Sequence, residues 1–341
     1  MYGLTPAERL GRQWGECDGP VLVASACAVL GETALNWLRE NPAIVLATDG
    51  GRPVAVAVVP SAVDAAARLI ASGDPGMNSV RASQVGDVFV RKLRRRDRLF
   101  VRSLEEEAAA KVEKCLFDTV YKGITDLVTK YVWPLPAFWV TKLCARARVP
   151  PNAVTFVGMA AMLGATVFWI WGDLVVGMVL AWLMTFLDTV DGKLARVTAT
   201  SSELGNKLDH VTDVIHPPIW WAALAYALAE RQGDVGATLI WQMLGIILIG
   251  YVVGRIVESR SKKRFGFNPF LWRPFDSAFR TIISRRNIIL LIMTAGLIAG
   301  APHQAFVVAG AWTLVSVAIQ LARLIQGLIA SRRGPLTSWL V

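Results

Sequence analysis

Three stretches of this chain carry no charge for close to twenty residues each: residues 154–172, 236–254 and 305–322. A helix rising ~1.5 Å per residue needs ~20 apolar residues to cross ~30 Å of bilayer hydrocarbon, so runs of this length commit the fold to a membrane. Three further uncharged runs are shorter, at residues 174–187, 214–228 and 287–300. The first two are completed by the charged stretch between them, which predicts helices that extend past the hydrocarbon and six spans in all. A composition of 54% hydrophobic and 18% charged residues excludes an ordinary water-soluble enzyme as the whole of the chain.

Lys and Arg number 36 against 26 Asp and Glu, a surplus of +10 that could face nucleic acid, anionic lipid or phosphorylated substrates. Position decides among these. In the connections near Asp173, residues 230–236 and residues 300–304, the only Lys or Arg is Arg231. The opposite connections contain Lys193, Arg196, Lys207, Arg260, Lys262, Lys263, Arg264, Arg273, Arg280, Arg285 and Arg286, and the tail adds Arg332 and Arg333. The positive-inside rule then predicts both termini on the cytoplasmic side, and the opening MYGLTPAERLGRQWGE shows no basic-then-apolar signal pattern. The basic run at residues 91–98 lacks interleaved aromatics, so no nucleic-acid partner is expected. Cys17, Cys27, Cys115 and Cys144 are widely spaced and form neither a zinc pattern nor a disulfide framework.

The apolar character begins near residue 115. Before it, the short apolar runs 21–28, 44–47 and 54–59, with the turn Asp49-Gly50-Gly51-Arg52-Pro53, read as strands. Residues 33–40 and 61–71 have helical spacing, with Ser61 as N-cap. Residues 1–114 are therefore expected to form a small cytoplasmic α/β domain, without a phosphate-binding glycine motif. Residues 115–150 mix Trp133, Phe138 and Trp139 with Lys130, Lys142, Arg146 and Arg148, the composition of an interfacial amphipathic linker, in which Pro134 and Pro136 interrupt any helix. Residues 151–341 form the six-helix membrane domain.

Between the second and third spans lie Asp188, Asp191, Asp209 and Asp213. The first pair is three apart and the second four apart, so each pair shares one face of its helix. Two facing helices would gather four carboxylates in one small volume, which a bilayer tolerates when cations neutralise them. All-oxygen ligation suits Mg²⁺, Mn²⁺ or Ca²⁺, and two such ions would clamp a diphosphate. Gly192, Ala195 and Gly205 are spaced to open a groove between the helices, and Gly205, Asp209 and Asp213 fall on one face. His210 and His216 read as packing or headgroup-depth residues, and Pro217-Pro218 as a kink.

The arrangement Asp188-x-x-Asp191-Gly192-x-x-Ala195-Arg196, eight residues, Gly205-x-x-x-Asp209-x-x-x-Asp213 resembles the full signature of the CDP-alcohol phosphotransferase family. The resemblance covers roughly residues 150 to 330. It implies a dimeric integral membrane enzyme that transfers a phospho-alcohol from a CDP-alcohol to a hydroxyl acceptor and releases CMP. By that resemblance Asp188, Asp191, Asp209 and Asp213 hold two Mg²⁺ ions, with Mn²⁺ as a substitute, and Asp213 is also the general base. Asp188, Gly192, Ala195, Arg196 and Gly205 would bind the CDP moiety. A softer resemblance joins Lys122-Gly123-x-Thr125-Asp126 and Pro151-Asn152-x-x-Thr155 to the junction of bifunctional proteins in which a nucleotidyltransferase domain precedes this membrane domain, making residues 1–114 similar to a reduced relative. Because the glycine-rich nucleotide loop is missing, a structural or regulatory role is expected there.

For the acceptor, Arg255, Arg285 and Arg286 suit an alcohol bearing its own phosphate, such as an inositol phosphate. CDP-diacylglycerol is the expected donor, with a water-soluble CDP-alcohol such as CDP-inositol as the alternative. A divalent-cation transporter is the competing class, but the acids lie at one end of two helices and none continues across the bilayer.

Overall fold

The computed structural model describes residues 1–15, 19–74, 76, 78–90, 93–201 and 203–341, and within the latter the backbone but not the side chains of residues 204, 206, 208 and 209. Cys17, Arg91 and the Asp209 side chain thus lie outside the described residues. The chain divides into two units, one of Met1–Gly123, Phe138–Pro150 and Gly192–Ser201, the other of Ile124–Ala137, Pro151–Asp191 and Ser202–Val341.

The first unit is α/β. Helix α1 (Pro6–Trp14) starts with a capping box: the Thr5 hydroxyl accepts the Glu8 N–H at 3.2 Å and the Glu8 carboxylate accepts the Thr5 N–H at 2.7 Å. The elements β1 (Val21–Ala24), β2 (Ala28–Leu30), α2 (Glu32–Glu40), β3 (Val45–Ala47), β4 (Pro53–Val58), α3 (Val63–Ser72), β5 (Ser79–Arg81), β6 (Val88–Val90), β7 (Arg95–Asp97), β8 (Val101–Ser103) and α4 (Ala109–Thr119) follow. The main sheet has the order β1-β4-β3-β5, with β3 and β5 parallel and the other pairs antiparallel; β2 pairs with β8 and β6 with β7. Strand β4 is buried along its whole length because both faces are covered. From Ala55 onward its alternation assigns the two sides: Ala55 and Ala57 join Leu10, Leu35 and Leu38 in one core, to which Val54 also belongs, while Val56 and Val58 join Val45 and Ala66 in another.

The strands and helices read from the sequence pattern are present, with the run 21–28 divided between β1 and β2 of different sheets, but Ser61 does not cap α3. It sits in a single tight turn, Pro60–Ala62, and α3 starts after it with Ala62 as an N-cap that makes no side-chain hydrogen bond. Pro60, with φ already fixed, starts that turn one step early. Helix α5 (Pro134–Arg146) brings a second correction: Pro134 and Pro136 open the helix rather than interrupt it. At a helix N-terminus the missing proline N–H has no partner to lose. From α5, Lys142 forms an ion pair with buried Glu113 at 2.7 Å, and the Tyr2 N–H donates to the same carboxylate at 3.2 Å. Burial pushes the Glu113 carboxyl up, but the ammonium and the N–H outweigh it and hold it below the ordinary carboxylate range.

The second unit is helical, comprising α6 (Pro151–Ile170), α7 (Leu174–Val197) as far as Asp191, α8 (Glu203–Ala229), α9 (Asp234–Phe265), α10 (Pro274–Phe279), α11 (Arg286–Ile298) and α12 (Pro302–Ser331). Among the described residues four helices, α6, α7, α9 and α12, are long and apolar enough to cross a membrane, against the six spans expected. The difference lies in α8, whose first half is polar, and in α11, whose 13 residues reach only ~20 Å. Helix α7 does continue unbroken from its apolar half through Asp188 and Asp191, as the pattern requires; the Asp173 carboxylate caps its start by accepting the Val176 N–H at 3.0 Å.

The core of this unit is aromatic. Trp169 and Trp220 are fully buried with ring centroids 5.5 Å apart, edge to face, and the Trp220 indole donates to the Met162 carbonyl at 3.1 Å. Around them, helices approach on small residues: a methyl group built on Gly296 of α11 overlaps Cβ of Ala305 in α12, and one on Gly250 of α9 overlaps Thr313. Gly296→Ala is expected to cost about 1–3 kcal/mol through overpacking, because the colliding atom is a Cβ that cannot swing away. Thermal unfolding in detergent, read against the wild-type midpoint, checks it.

Candidate active site

The site is built from the cut-off point of α7's apolar half, the middle of α8 and the first residue of α11. Asp188 and Asp191 sit one helical turn apart on α7, and Asp213 lies ten residues into α8. Arg286, the first residue of α11, reaches both helices: its Nη2 donates to Asp188 Oδ2 at 2.6 Å and its Nη1 to Asp213 Oδ1 at 3.0 Å. A guanidinium is a fixed fork, so two carboxylates on separate helices that share it must converge on one point. Nη1 also lies 3.3 Å from His216 Nε2. Arginine can only donate, so Nε2 accepts, and the hydrogen sits on Nδ1, which donates to the Thr212 carbonyl at 2.6 Å. His216 is therefore more than the packing residue expected: besides stacking edge-on against Trp220, it orients Arg286.

Asp191 is buried and its Oδ2 accepts the Thr155 hydroxyl at 2.6 Å. Thr155, Asp188, Asp191 and Thr212, with Gly158, Met159 and Met184, line a void of about 20 Å³, room for one water-sized particle. The two carboxylates and two hydroxyls beside this void are oxygen donors of the kind a hard divalent cation takes. The residues present fit the cation. The expected four-carboxylate cluster falls partly outside the described residues, because the Asp209 side chain is not among them; among the described residues no three His, Cys, Asp or Glu side chains gather closely enough to hold a metal.

The tandem prolines of α8 act on the site through the backbone. Pro217 and Pro218 have no N–H to give to the carbonyls four residues earlier, those of Asp213 and Val214. Carbonyls orphaned inside a helical unit need other donors. Arg255 Nη2 donates to the Asp213 carbonyl at 3.1 Å and the Tyr251 hydroxyl to the Val214 carbonyl at 2.9 Å. The helix runs on through both prolines, and the carbonyls they leave free, beside Asp213, are met by a guanidinium and a phenol of α9.

Arg255, Arg285 and Arg286 line one cavity of about 150 Å³, together with Asp213, His216, Arg280, Asp126 and Asn287. Four arginines against two aspartates make its wall cationic. Arg285 N-caps α11 and is ion-paired with Glu258, which neutralises part of that charge. Asp126 is buried: burial pushes its carboxyl up, but the Thr129 N–H at 3.0 Å and the Asn287 amide at 2.9 Å donate to it, and with the Arg280 charge they hold it below the ordinary range. Asp126 had only its place in a junction motif to single it out, and nothing in the sequence near Asn287 marks its partner.

Gly192, Ala195 and Arg196 ride on the last two turns of α7, in the first unit. Arg196 Nη1 donates to the Val120 carbonyl at 3.2 Å, and the Lys193 ammonium lies 3.9 Å above the Tyr121 ring. Gly205 is half-buried in the first turn of α8.

Apolar helices long enough to cross a membrane, with Asp188 and Asp213 of two of the unit's helices on one guanidinium, make this a membrane-protein site, and comparison with known families gives its class. The model of the CDP-alcohol phosphatidyltransferase family matches residues 148–325, more than half of the chain. The chain belongs to that family. It is similar to archaetidylinositol phosphate synthase of Pyrococcus horikoshii, 29% identical over 112 residues, which are 33% of this chain and 54% of that protein. It is also similar to phosphatidylinositol phosphate synthase of Corynebacterium glutamicum, 30% identical over 123 residues, 34% of this chain and 55% of that protein. The chain thus spans about half the length of these curated relatives. Among solved structures, Mycobacterium tuberculosis phosphatidylinositol phosphate synthase with CDP-DAG bound superposes with a TM-score of 0.43 at 16% identity, over 55% of this chain and 92% of that one. The same enzyme in complex with manganese and citrate gives a TM-score of 0.43 at 20% identity, over 55% and 88%.

Proposed function

We propose that this chain transfers a phosphatidyl-type group from a CDP-alcohol, CDP-diacylglycerol above others, to a hydroxyl of an inositol phosphate or related phosphorylated polyol, and releases CMP. The observation that carries the reading is the single cavity in which Asp213 faces Arg255, Arg285 and Arg286. A base beside guanidinium groups is what an acceptor with one reacting hydroxyl and one phosphate needs. The names of the two curated relatives point the same way.

In this mechanism Asp188, Asp191, Asp209 and Asp213 hold two Mg²⁺ ions, for which Mn²⁺ can substitute, and these supply charge neutralisation of the diphosphate. The chain does the rest. Asp213, the more exposed of the two carboxylates on Arg286, takes the proton of the acceptor hydroxyl as its oxygen forms a bond to the lipid-side phosphorus. The bond from that phosphorus to the bridging oxygen of CMP breaks, and CMP leaves. Asp188, Gly192, Ala195, Arg196 and Gly205 bind the CDP moiety, and the arginines hold the acceptor phosphate. The reading carries six spans, with α8 and α11 completing the set, both termini and the site on the cytoplasmic side, and a homodimer.

Initial rates of CMP release with CDP-diacylglycerol, Mg²⁺ and a panel of inositol, inositol phosphate, glycerol phosphate and serine test it, with product masses naming the acceptor. Inositol phosphate is expected to react fastest, and Arg286→Gln to raise its KM by about ten- to a hundredfold, the loss of one to two charge-assisted hydrogen bonds. Preference for a neutral acceptor overturns the phosphorylated-acceptor reading. Release from CDP-inositol but not from the lipid donor overturns the choice of donor.

A further inference from the structure

The last turn of α7 is finished by α1. A helix leaves its final carbonyls without intrahelical donors, and each one here can be followed. The Leu194 carbonyl accepts the Thr198 N–H at 3.0 Å and its hydroxyl at 2.7 Å; the Ala195 carbonyl accepts the Thr200 N–H at 2.9 Å, and the Arg196 carbonyl the Ala199 N–H at 3.3 Å. Ala199, at φ +52°, turns the chain out of the helix. The carbonyls of Val197 and Thr198 remain, and α1 takes both: Arg9 Nη1 donates to Val197 and Arg12 Nη1 to Thr198, the latter at 3.3 Å. Arg9 and Arg12 are one turn apart on α1, which the Thr5 capping box starts, so the two cations address consecutive carbonyls.

Arg9 is not a surface residue that happens to reach across. It is 3% exposed, and burial draws its pKa down to about 10, so it stays charged at neutral pH. A buried cation at a helix C-terminus meets the negative end of the helix dipole, where it is worth most. Leu194 and Val197, which flank the signature residues Ala195 and Arg196, are fully buried. The turn held in this way carries Gly192, Ala195 and Arg196.

We propose that Arg9 is a positioning residue for the nucleotide half of the substrate: through the α7 carbonyls it fixes the turn that presents Gly192, Ala195 and Arg196, which gives the N-terminal α/β unit a role in donor binding without any nucleotide chemistry of its own. This rests on the CDP-alcohol reading of the site. Arg12 is the outer, weaker member of the pair.

The test is equilibrium binding of CDP with Mg²⁺ to the full-length protein in detergent, by titration calorimetry, beside KM values for donor and acceptor. Arg9→Met is expected to weaken CDP binding about tenfold, equivalent to about 1.4 kcal/mol, and Arg9→Lys to restore part of it. Arg12→Gln is expected to weaken CDP binding by about two- to threefold. The donor KM should rise with the CDP constant while the acceptor KM stays unchanged, a split that general loss of folded protein would not give. Wild-type protein that fails to bind CDP overturns the function proposed above. Wild-type binding with unchanged affinity in Arg9→Met and Arg12→Gln overturns the positioning role, and if Arg9→Met does not fold, unchanged affinity in Arg9→Lys and Arg12→Gln does so.

Discussion

Asp213→Asn is expected to abolish CMP release, by at least about a thousandfold, while CDP binding survives within a few fold. General-base catalysis contributes ~10²–10⁴ in rate, and the amide keeps the shape of the carboxylate but cannot accept the acceptor proton. The surroundings favour a clean result. The Asp213 backbone is tied to α9 by Arg255, so the substituted side chain should stay in place, and Arg286 keeps its bond to Asp188. Single-turnover CMP release and CDP titration on the same preparation separate the two roles. An equal loss of binding and rate would make Asp213 a metal ligand only.

Asp188→Ala should be as damaging to activity and should also show outside the assay. It removes a carboxylate that faces both the small oxygen-lined void and the Arg286 guanidinium. Arg286 is mostly buried, and truncating the partner of a buried charge costs about 3–5 kcal/mol. A lower thermal midpoint, a loss of Mn²⁺ binding by electron paramagnetic resonance of at least about tenfold, and no detectable CMP release are expected together. Unchanged Mn²⁺ affinity would remove Asp188 from the cation site and leave it as a counter-ion of Arg286.

The carboxylates are readable in the sequence because helical periodicity is local: spacings of three and four put Asp188 with Asp191 and Asp209 with Asp213 whatever the rest of the fold does. The same holds for the uncharged runs, and for strand β4, which reads as a short apolar run bounded by the turn at residues 49–53. What joins the elements is not local. Arg286 lies 98 residues after Asp188, and an arginine at a membrane edge looks like an anchor until two carboxylates are seen on its fork. His216 and Thr155 gain meaning only from Arg286 and Asp191. Pro217-Pro218 announces a kink, yet which donors will answer the orphaned carbonyls depends on α9 lying alongside. Pro134 misleads for a simpler reason: a proline that ends one helix and a proline that begins the next have the same local pattern, and only the start of α5 distinguishes them.

Arg255 and Arg285 show how the structure sharpens a composition-level idea. Both line the cavity with Asp213, as a phosphate-binding role needs, but one also carries a backbone carbonyl and the other an ion pair to Glu258. Arg286 is the residue of the three whose fork lies directly on the signature carboxylates.

The most direct measurement is CMP release by the purified full-length protein from CDP-diacylglycerol and inositol phosphate, with Mg²⁺, with EDTA, and with EDTA followed by excess Mg²⁺ or Mn²⁺. Release that requires donor, acceptor and divalent cation together, falls to background with EDTA and returns with either metal is the expected result. Release that continues undiminished in EDTA, or no release with any CDP-alcohol offered, contradicts a cation-dependent transferase built on Asp188, Asp191 and Asp213.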